Sequence, residues 1–207
     1  MKSGSTEARG AEAIVTRTEY LGYNAIVKSR PAKTYRIPEL DKHLRLTRTK
    51  NEARLIREAR TAGVRTPCIY DIDTQECSIT MEFIDGPTVK EVLDNGSADP
   101  LVLCKKIGRT IAKLHSAKIC HGDLTTSNMI LSNDGNICII DFSMGCSKAG
   151  IEDIGVDMRL LERAFTSAHA KLSSAFDGLM SEYYSNSSES ELIKRKIEEI
   201  RNRGRYT

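Results

Sequence analysis

The sequence predicts an α+β fold of two lobes, with strands first and helices after them. Short alternating runs of apolar and polar residues in the first third are typical of antiparallel strands, whereas helical periodicity dominates the rest. This segregated order favours α+β over an alternating α/β fold. The 207 residues, of which 40% are hydrophobic, are enough for a core without covalent staples.

The first third is predicted to hold strands followed by a helix. Residues 11–37 alternate in short bursts on either side of Gly22, which is typical of antiparallel strands joined by a turn. Residues 49–62 have helical spacing. Gly63 and then Pro67 follow them, and both residue types are common just beyond a helix end.

The remainder is predicted to hold one more strand, a hairpin and several helices. Residues 77–84 are typical of a strand, and a helix is expected over 100–117. Residues 128–140 predict a hairpin with a turn of sequence NDG. From residue 153 onward the pattern is helical, with a break in the Ser/Asn-rich stretch 185–190. The helix over 100–117 carries its apolar residues at helical spacing: Leu103, Ile107, Ile111 and Leu114.

Composition argues against several classes of protein. The chain has no run of about 18 apolar residues and no apolar core of a signal peptide, so we expect a cytoplasmic protein without a membrane partner. Six cysteines without a Cys-x-x-Cys pair indicate core residues rather than disulfides or zinc ligands. The absence of Trp and an aromatic content of 5% argue against a base-stacking surface.

The net charge of +3 is unevenly distributed, because two segments of the chain are basic and one is acidic. Basic residues outnumber acidic ones by 12 to 4 over residues 28–65 and by 6 to 2 over residues 194–205, whereas acids dominate residues 71–99 by 8 to 1. The two basic segments could contact phosphates or RNA, or they could be solvated helix faces. The sequence leaves both interpretations open.

The strongest functional signal is the sequence HGDLTTSN at residues 121–128, followed by the sequence DFS that begins at Asp141. Phosphoryl transfer requires oxygen ligands for magnesium and a carboxylate that orients the attacking group. Asp123, Asn128 and Asp141 supply that set. The arrangement resembles the catalytic loop and magnesium site of protein kinases, with Asp123 catalytic and Asn128 and Asp141 as metal ligands.

Upstream residues agree with this resemblance. Ala-Ile-Val-Lys, ending at Lys28, is similar to the kinase strand whose lysine contacts the α- and β-phosphates. This lysine needs a glutamate on the next helix, and the candidates are Glu52 and Glu58. Glu52 shares a face with the apolar residues of that helix, so we expect Glu52 to be the partner.

The sequence MEFI beginning at Met81 resembles a kinase hinge. In that interpretation, backbone groups of Glu82 and Ile84 contact the adenine edge and Met81 lies behind the base. Cys120 next to His121 could also form a metal pair, but no second pair follows, and in kinases this histidine is structural. We expect His43, His115 and His169 on the surface or on helix faces.

The departures from protein kinases are as informative as the matches. GAEA at residues 10–13 replaces the glycine-rich loop, so the cofactor-binding candidates there are Gly10, Ala11, Glu12 and Ala13. Gly122 replaces the arginine that senses a phosphorylated activation loop, and Ser143 replaces the last glycine of the magnesium motif. We also expect the Glu12 carboxylate to discourage tight nucleotide binding.

A set of motifs resembles one family across nearly the whole chain: the small kinase-like ATPase subunit of the KEOPS complex, also called the p53-related protein kinase family. The shared motifs are GAEA at 10–13, PELD at 38–41, HGDLTTSN at 121–128, EDIGVDMRLLERA at 152–164 and RGR at 203–205. The resemblance implies a minimal two-lobed kinase-like fold, with an N-lobe over 1–82 and a truncated C-lobe over 83–207. It also implies ATP and Mg²⁺ as cofactors.

The implied activity is that of an atypical Ser/Thr protein kinase and ATPase that autophosphorylates and supports the threonylcarbamoyladenosine modification of tRNA. The implied partners are the threonylcarbamoyltransferase subunit, a small subunit at the N-lobe, and tRNA through the complex and the basic C-terminal tail. We expect Arg201, Arg203 and Arg205 of that tail to engage tRNA or a partner, and Asp157 to anchor the catalytic-loop backbone.

Three alternatives remain. The first is a small-molecule phosphotransferase of the aminoglycoside or choline type, which normally needs a larger helical subdomain. The second is a non-catalytic kinase-like scaffold. The third is a RIO-type atypical kinase, which usually carries an extra N-terminal helical domain. The sequence does not decide whether the acceptor is water or a protein hydroxyl.

Overall fold

Strand-forming residues at the start of the chain build a five-stranded antiparallel sheet in the computed structural model, which describes residues 7–9 and 12–203. The order in the sheet is β1-β2-β3-β5-β4. Its strands are β1 (Glu7–Arg9), β2 (Ile14–Tyr20), β3 (Tyr23–Ser29), β4 (Ile69–Asp73) and β5 (Ser78–Glu82). The central position of β3 places Lys28 opposite Val15 on one side and Ile79 on the other.

Helix α1 (Pro38–Thr61) connects β3 to β4 and is longer than the predicted helix over 49–62. Pro38 occupies the first turn, and Glu39 and Asp41 lie there too, where acids interact favourably with the helix dipole. The predicted end is correct, because Gly63 follows with a left-handed φ of +82°. The early start was missed because four of the nine residues over 42–50 are Lys or Arg, and the two leucines among them do not form a helical apolar stripe.

The rest of the described chain is mainly helical. Its helices are α2 (Val89–Asn95), α3 (Pro100–Ser116), α4 (Ile151–Ala168), α5 (Ser173–Ser185) and α6 (Ser190–Arg203). Strand β4 and helix α2 were not predicted. A capping box between Thr88 and Glu91, together with Gly96 in the left-handed region, was the available signal for α2.

Two small antiparallel ladders separate α3 from α4. Strands β6 (Ile119–Cys120) and β9 (Cys146–Ser147) form one, and β7 (Met129–Leu131) and β8 (Ile137–Ile139) form the predicted hairpin. A short 3-10 turn over Thr126–Asn128 leads into β7. These ladders present the loops that carry the candidate catalytic residues.

Two apolar cores position those loops. The larger packs α3 against α5 and α4 against α6, and burial of Ile107 and Ile111 on α3 contributes about 1.5–3 kcal/mol each. The smaller core joins α1 to β5 and to the loop after β8, through Leu55, Met81 and Phe142. Because Phe142 directly follows Asp141, this second core fixes α1 relative to the candidate magnesium site.

The cysteines are all free, and four of the six are buried, as their predicted core role requires. The other two are Cys68, which is partly buried, and Cys146, which is exposed on the short strand β9. Within residues 7–9 and 12–203, no helix combines the length and the apolar character that crossing a bilayer needs.

Candidate active site

Lys28 lies where the sheet, α1 and the loop after β8 meet. Its Nζ donates to Glu52 Oε1 at 2.7 Å and contacts Asp141 Oδ1, also at 2.7 Å. Glu52 is completely buried on the inner face of α1, whereas Glu58 is partly exposed and pairs with Arg54. The structure therefore brings Lys28 together with Glu52 and Asp141, and it leaves Glu58 outside the site.

A second buried cation, Arg30, shares Glu52 with Lys28. The Arg30 guanidinium contacts Glu52 Oε2 and donates to Thr49 Oγ1 at 3.3 Å. Sequence reasoning missed Arg30 because it begins a strongly basic segment, where an arginine is expected to be solvated. The available signal was its position two residues after Lys28, because extended chain that continues one residue past β3 puts both side chains on the same side.

Asp123 and Asn128 lie side by side in the loop between β6 and β7. The Asn128 amide donates to the Asp123 carbonyl oxygen at 2.8 Å and to the Asp123 carboxylate at 3.0 Å. The Asn128 carbonyl accepts from the Ile140 N–H at 3.0 Å, which ties this loop to the residue before Asp141. The spacing of the three polar residues in the sequence thus becomes one connected group.

His121 is completely buried and fastens the same two segments together. Its Nδ1 accepts from the Asp123 N–H at 3.2 Å, and its Nε2 lies 2.8 Å from the Ile140 carbonyl oxygen. An acceptor at Nδ1 and a donor at Nε2 define one neutral tautomer. His121 is structural, as expected.

Asp157 on α4 holds the backbone of the catalytic loop. Its two carboxylate oxygens accept from the N–H groups of His121 at 2.7 Å and Gly122 at 2.9 Å. His115 Nε2 lies 3.3 Å from the same carboxylate, and its Nδ1 lies 2.8 Å from the Tyr183 hydroxyl. Burial opposes ionisation of Asp157, but the bonds from His115 and the His121 N–H outweigh it and lower the pKa of Asp157.

His115 lies on a helix, within α3, and His169 lies directly after α4, but neither is at the surface. His115 is buried in the Asp157 network, and His169 is buried at the end of α4, where it contacts Thr126 Oγ1 at 3.0 Å and Asp94 at 3.2 Å. Burial lowers the pKa of His169. Both side chains are polar yet enclosed because their ring nitrogens have partners there. His43 is exposed, as predicted.

His115 also belongs to a cluster that has metal-ligating residue types. His115, Cys120 and Asp157 bring their ligand atoms within 4.8 Å of one another. The imidazole and carboxylate atoms are already used in the hydrogen bonds that hold the catalytic loop. These hydrogen bonds explain why the three residues lie together, so their proximity does not by itself indicate a metal site.

Asp141 adopts a left-handed backbone, with φ of +63°, which Asp tolerates better than most residues. The hydroxyl that Ser143 introduces donates to Asp141 Oδ1 at 2.5 Å, and the Ser143 N–H points to the same oxygen at 3.3 Å. Burial opposes ionisation, but Lys28 and Ser143 outweigh it and lower the pKa of Asp141 to about 2. The carboxylate is thus ionised at neutral pH, as a magnesium ligand must be.

Gly122 has a steric explanation. Its φ is +77°, and a Cβ at this position would lie 2.2 Å from the carbonyl oxygen of Met144 in the segment after Asp141. Any side chain here would collide with that backbone. The arginine that many protein kinases carry at this position therefore does not fit.

A cavity of about 220 Å³ lies between the sheet and the hairpin. One end is polar, with Lys28, Glu52 and Asp141. The walls are mostly apolar and come from both lobes: Val15, Ile26, Pro67, Met81, Phe83, Ile84, Ile130 and Ile140. A slot of this size and polarity suits a flat heterocycle attached to a charged group.

The predicted hinge residues Met81, Glu82 and Ile84 all line this cavity. The Glu82 side chain is turned toward Arg65, with contacts of 2.5 and 2.8 Å, and the Glu82 N–H donates to the Cys68 carbonyl at 2.8 Å. Burial opposes ionisation of Glu82, but Arg65 outweighs it and lowers the pKa of this carboxyl.

The predicted phosphate loop is only partly described. Gly10 and Ala11 lie outside the described residues, and Ala13 is half-buried. Glu12 pairs with Arg48 and lies 3.5 Å from Arg36, so two guanidinium groups balance its charge. In this structure the Glu12 carboxylate therefore faces α1 and is not part of the cavity wall.

The C-terminal basic residues are paired within the chain. Arg201 contacts Glu162 at 2.9 Å and Arg203 contacts Glu152 at 2.8 Å, both on α4. Arg205 lies outside the described residues. The described part of the tail thus packs α6 against α4 through ion pairs at their exposed edge.

Comparison with known proteins gives a consistent family assignment. The RIO domain family matches residues 15–167. The KEOPS complex subunit Bud32 of Pyrococcus abyssi is 43% identical over 96% of this chain and 94% of that protein. An EKC/KEOPS complex subunit of Schizosaccharomyces pombe is 40% identical over 95% of this chain and 86% of that protein.

Other relatives are longer than this chain. A probable bifunctional tRNA threonylcarbamoyladenosine biosynthesis protein of Methanobrevibacter smithii is 43% identical over 97% of this chain, which corresponds to 36% of that protein. The chain thus spans about a third of the length of the bifunctional relatives.

A solved structure shows the same fold. The Rio2 kinase of Chaetomium thermophilum, in an ADP/Mg²⁺-phosphoaspartate complex, aligns with a TM-score of 0.66 and 15% identity over 99% of this chain and 71% of that one. RIO-type kinases were expected to be a rival to the KEOPS family. That separation is wrong, because this chain matches both.

Proposed function

Since this chain belongs both to the RIO-domain family and to the family of the KEOPS complex subunit Bud32, we propose that it is the kinase-like ATPase subunit of such a complex. It uses ATP with magnesium and supports the threonylcarbamoyladenosine modification of tRNA. The observation that carries the proposal is the contact of Lys28 with both Glu52 and Asp141 at the polar end of an apolar cavity.

The cavity divides the nucleotide between two environments. The apolar walls accept the adenine ring, and the backbone of Glu82 and Ile84 faces its edge, with Met81 beside the base. We place the border between the two lobes directly after Glu82, so the base lies at the junction. Lys28 then points to the phosphates, where its ammonium balances their charge.

The carboxylate and amide oxygens near the cleft fit a magnesium ion. Asp141 is ionised and Asn128 offers an amide oxygen, and hard oxygen ligands are what magnesium prefers. When bound, the ion neutralises negative charge on the phosphates. The Rio2 kinase, which has the same fold, forms a complex with ADP and Mg²⁺, and this supports the choice.

Asp123 is the residue that orients the acceptor. Its side chain is exposed, and the Asn128 amide donates to its carboxylate. Phosphoryl transfer is mostly positioning and electrostatics, so a well-placed carboxylate serves a water molecule or a Ser/Thr hydroxyl equally. The chain acts as an ATPase in the complex and phosphorylates itself or other Ser/Thr residues when alone.

The partners follow from the family. They are the threonylcarbamoyltransferase subunit, a small subunit at the N-lobe, and tRNA, which approaches the complex and the basic C-terminal tail in the cytoplasm. Arg201 and Arg203 keep their ion pairs with α4 in the free chain, so tRNA phosphates would have to replace Glu162 and Glu152.

The test follows γ-labelled ATP with magnesium, with and without the transferase subunit. We expect label on the protein alone, and we expect free phosphate to rise and protein label to fall when the partner is added. Asp141→Ala should lower turnover about a hundredfold or more without unfolding the chain, because the lost group is polar and lines a cleft. Glu58→Ala, on the outer face of α1, is the matched control.

The other outcomes are decisive as well. Label transfer to other proteins that ignores the partner would favour a general protein kinase, and transfer to a small alcohol would favour a small-molecule phosphotransferase. If no label moves in any mixture, or if Asp141→Ala retains the wild-type rate, the catalytic assignment is wrong and a scaffold role stands.

A further inference from the structure

The buried carboxylate of Glu52 has two cations where the expected site has one. Lys28 occupies Oε1 and Arg30 occupies Oε2. All three side chains are at least nine-tenths buried. The Glu52 carboxylate therefore has two buried cationic partners instead of one.

Arg30 has no contact with the cleft among the described residues. Its remaining side-chain bond goes to Thr49 on α1, one turn before Glu52. Its backbone carbonyl accepts from Arg45 at 3.2 Å, and Arg45 is held in turn by Asp41 at 2.7 Å. Arg30 thus connects β3 to α1 through bonds at three successive turns of the helix.

Lys28 differs, because it faces the cavity and also contacts Asp141. In the proposed function its ammonium donates to nucleotide phosphates. Phosphate oxygens then compete with Glu52 and Asp141 for the same three N–H donors. If Lys28 were the only partner of Glu52, nucleotide binding would loosen the attachment of α1.

We propose that Arg30 is the positioning residue that holds Glu52 and α1 against the sheet, so that α1 stays in place while Lys28 shares its N–H donors between Glu52 and the phosphates. The inference rests on the proposed function for the role of Lys28, but not for the attachment of α1. A buried acid with a second cation stays compensated while the first cation also contacts phosphates, whereas a buried acid without any cation is strongly unfavourable.

The test measures amide hydrogen exchange over α1 in the nucleotide-free protein. Arg30→Met should speed exchange over residues 45–58 by about tenfold, whereas Lys28→Met should change it by less than about twofold. Arg30→Lys should give an intermediate value, since a lysine reaches Glu52 but cannot bond Thr49 at the same time. Exchange over α3 is the internal reference and should not change.

A kinetic readout separates positioning from chemistry. Arg30→Met should raise the KM for ATP more than it lowers kcat, whereas Lys28→Met should abolish turnover. Equal exchange over α1 in Arg30→Met and Lys28→Met would overturn the proposal. A wild-type chain without ATP turnover would instead disprove the proposed function, and the exchange result would still stand.

If Arg30→Met does not fold, two milder variants decide the question. Arg30→Lys keeps the charge and loses the bond to Thr49, so it is the more specific of the two. Thr49→Val keeps the side-chain shape and removes the hydroxyl partner of Arg30, together with the bonds from that hydroxyl to the carbonyls of Arg45 and Cys77. Both should speed exchange over α1 while exchange over α3 stays constant. Wild-type exchange in both variants would show that Arg30 does not hold the helix.

Discussion

Two completely buried carboxylates, one in each half of the molecule, are held in different ways. Glu52 on α1 is compensated by the side-chain cations of Lys28 and Arg30. Asp157 on α4 is compensated by the backbone N–H groups of His121 and Gly122 and by His115. Burial is the same to within a percent, so the difference lies in the partners.

The partners determine what each acid does for the site. Long cationic side chains can share or change partners by rotating, so Lys28 can also contact phosphates while Arg30 holds Glu52. Backbone N–H groups move only with the chain, so Asp157 fixes the path of the loop that carries Asp123. Glu52 thus allows the side chains around it to change partners, whereas Asp157 keeps a backbone segment in place.

The largest expected effects are the losses of stability caused by removing either buried charge. Asp157→Asn places an amide N–H against a backbone N–H in a buried site, and it should lower the free energy of unfolding by about 3–5 kcal/mol. Glu52→Gln should cost a similar amount, about 3–5 kcal/mol, because it leaves the buried Arg30 guanidinium without an acid, even though Lys28 still contacts Asp141. Urea unfolding of both variants measures these losses, and a loss below about 1 kcal/mol in either variant would contradict the role assigned to that acid.

The stability of Asp157→Asn relative to the wild type should depend on pH. The native pKa of Asp157 is lowered, so its contribution to stability is complete above the unfolded-state pKa of about 3.9 and is lost as the pH falls through the lower native value. The stability difference between the wild type and Asp157→Asn should therefore narrow below about pH 4. A difference that stays constant down to pH 2 would show that the ionised carboxylate is not the stabilising form.

An effect of intermediate size is expected on magnesium binding at Asp141, whose carboxylate contacts the Lys28 ammonium and accepts from the Ser143 hydroxyl. Ser143→Ala removes the 2.5 Å bond to Oδ1 and keeps the N–H contact. Loss of one hydrogen bond to a charged group should weaken magnesium binding in the presence of ADP by about three- to tenfold. Titration calorimetry measures this, with Ser147→Ala as control. Tighter binding would mean that the hydroxyl competes with the metal.

The smallest effect is expected where cations pair with exposed acids. Arg201→Ala and Arg203→Ala break ion pairs to Glu162 and Glu152 at the surface, where such pairs contribute little. The urea midpoint should stay within experimental error. A clear loss of stability would show that exposed ion pairs between α4 and α6 stabilise the protein as buried pairs do.

Local patterns predicted most of this site, and long-range packing explains the rest. Lys28 was proposed because its strand motif resembles that of kinases, and Glu52 was chosen because helix periodicity puts it on the inward face. Arg30 was missed, and the burial of His115 and His169 was not predicted, because nothing local distinguishes an enclosed polar side chain from a solvated one. Their burial depends on Glu52, Asp157 and Thr126, which lie 22 or more residues away in the chain or on another element.

The same difference between local patterns and long-range contacts explains which end of α1 was predicted. The end of α1 carries a local glycine signal and was predicted, whereas its first three turns mix acidic, basic and isolated apolar residues and gave no apolar pattern. Those turns are stable because Arg45 and Thr49 bond to Arg30, directly after β3, and because Asp41, Arg45 and Thr49 also bond within the helix. The helix is thus extended by tertiary contacts rather than by intrinsic preference.

The close crossing of Gly122 and Met144 also constrains the evolution of this chain. A single substitution at position 122 meets a backbone carbonyl 2.2 Å from the first side-chain atom and a left-handed φ that other residues rarely adopt. A phosphate-sensing arginine could return only together with a rerouted segment after Asp141. Control by loop phosphorylation is therefore several simultaneous changes away, and lineages with this backbone are expected to gain regulation through binding partners instead.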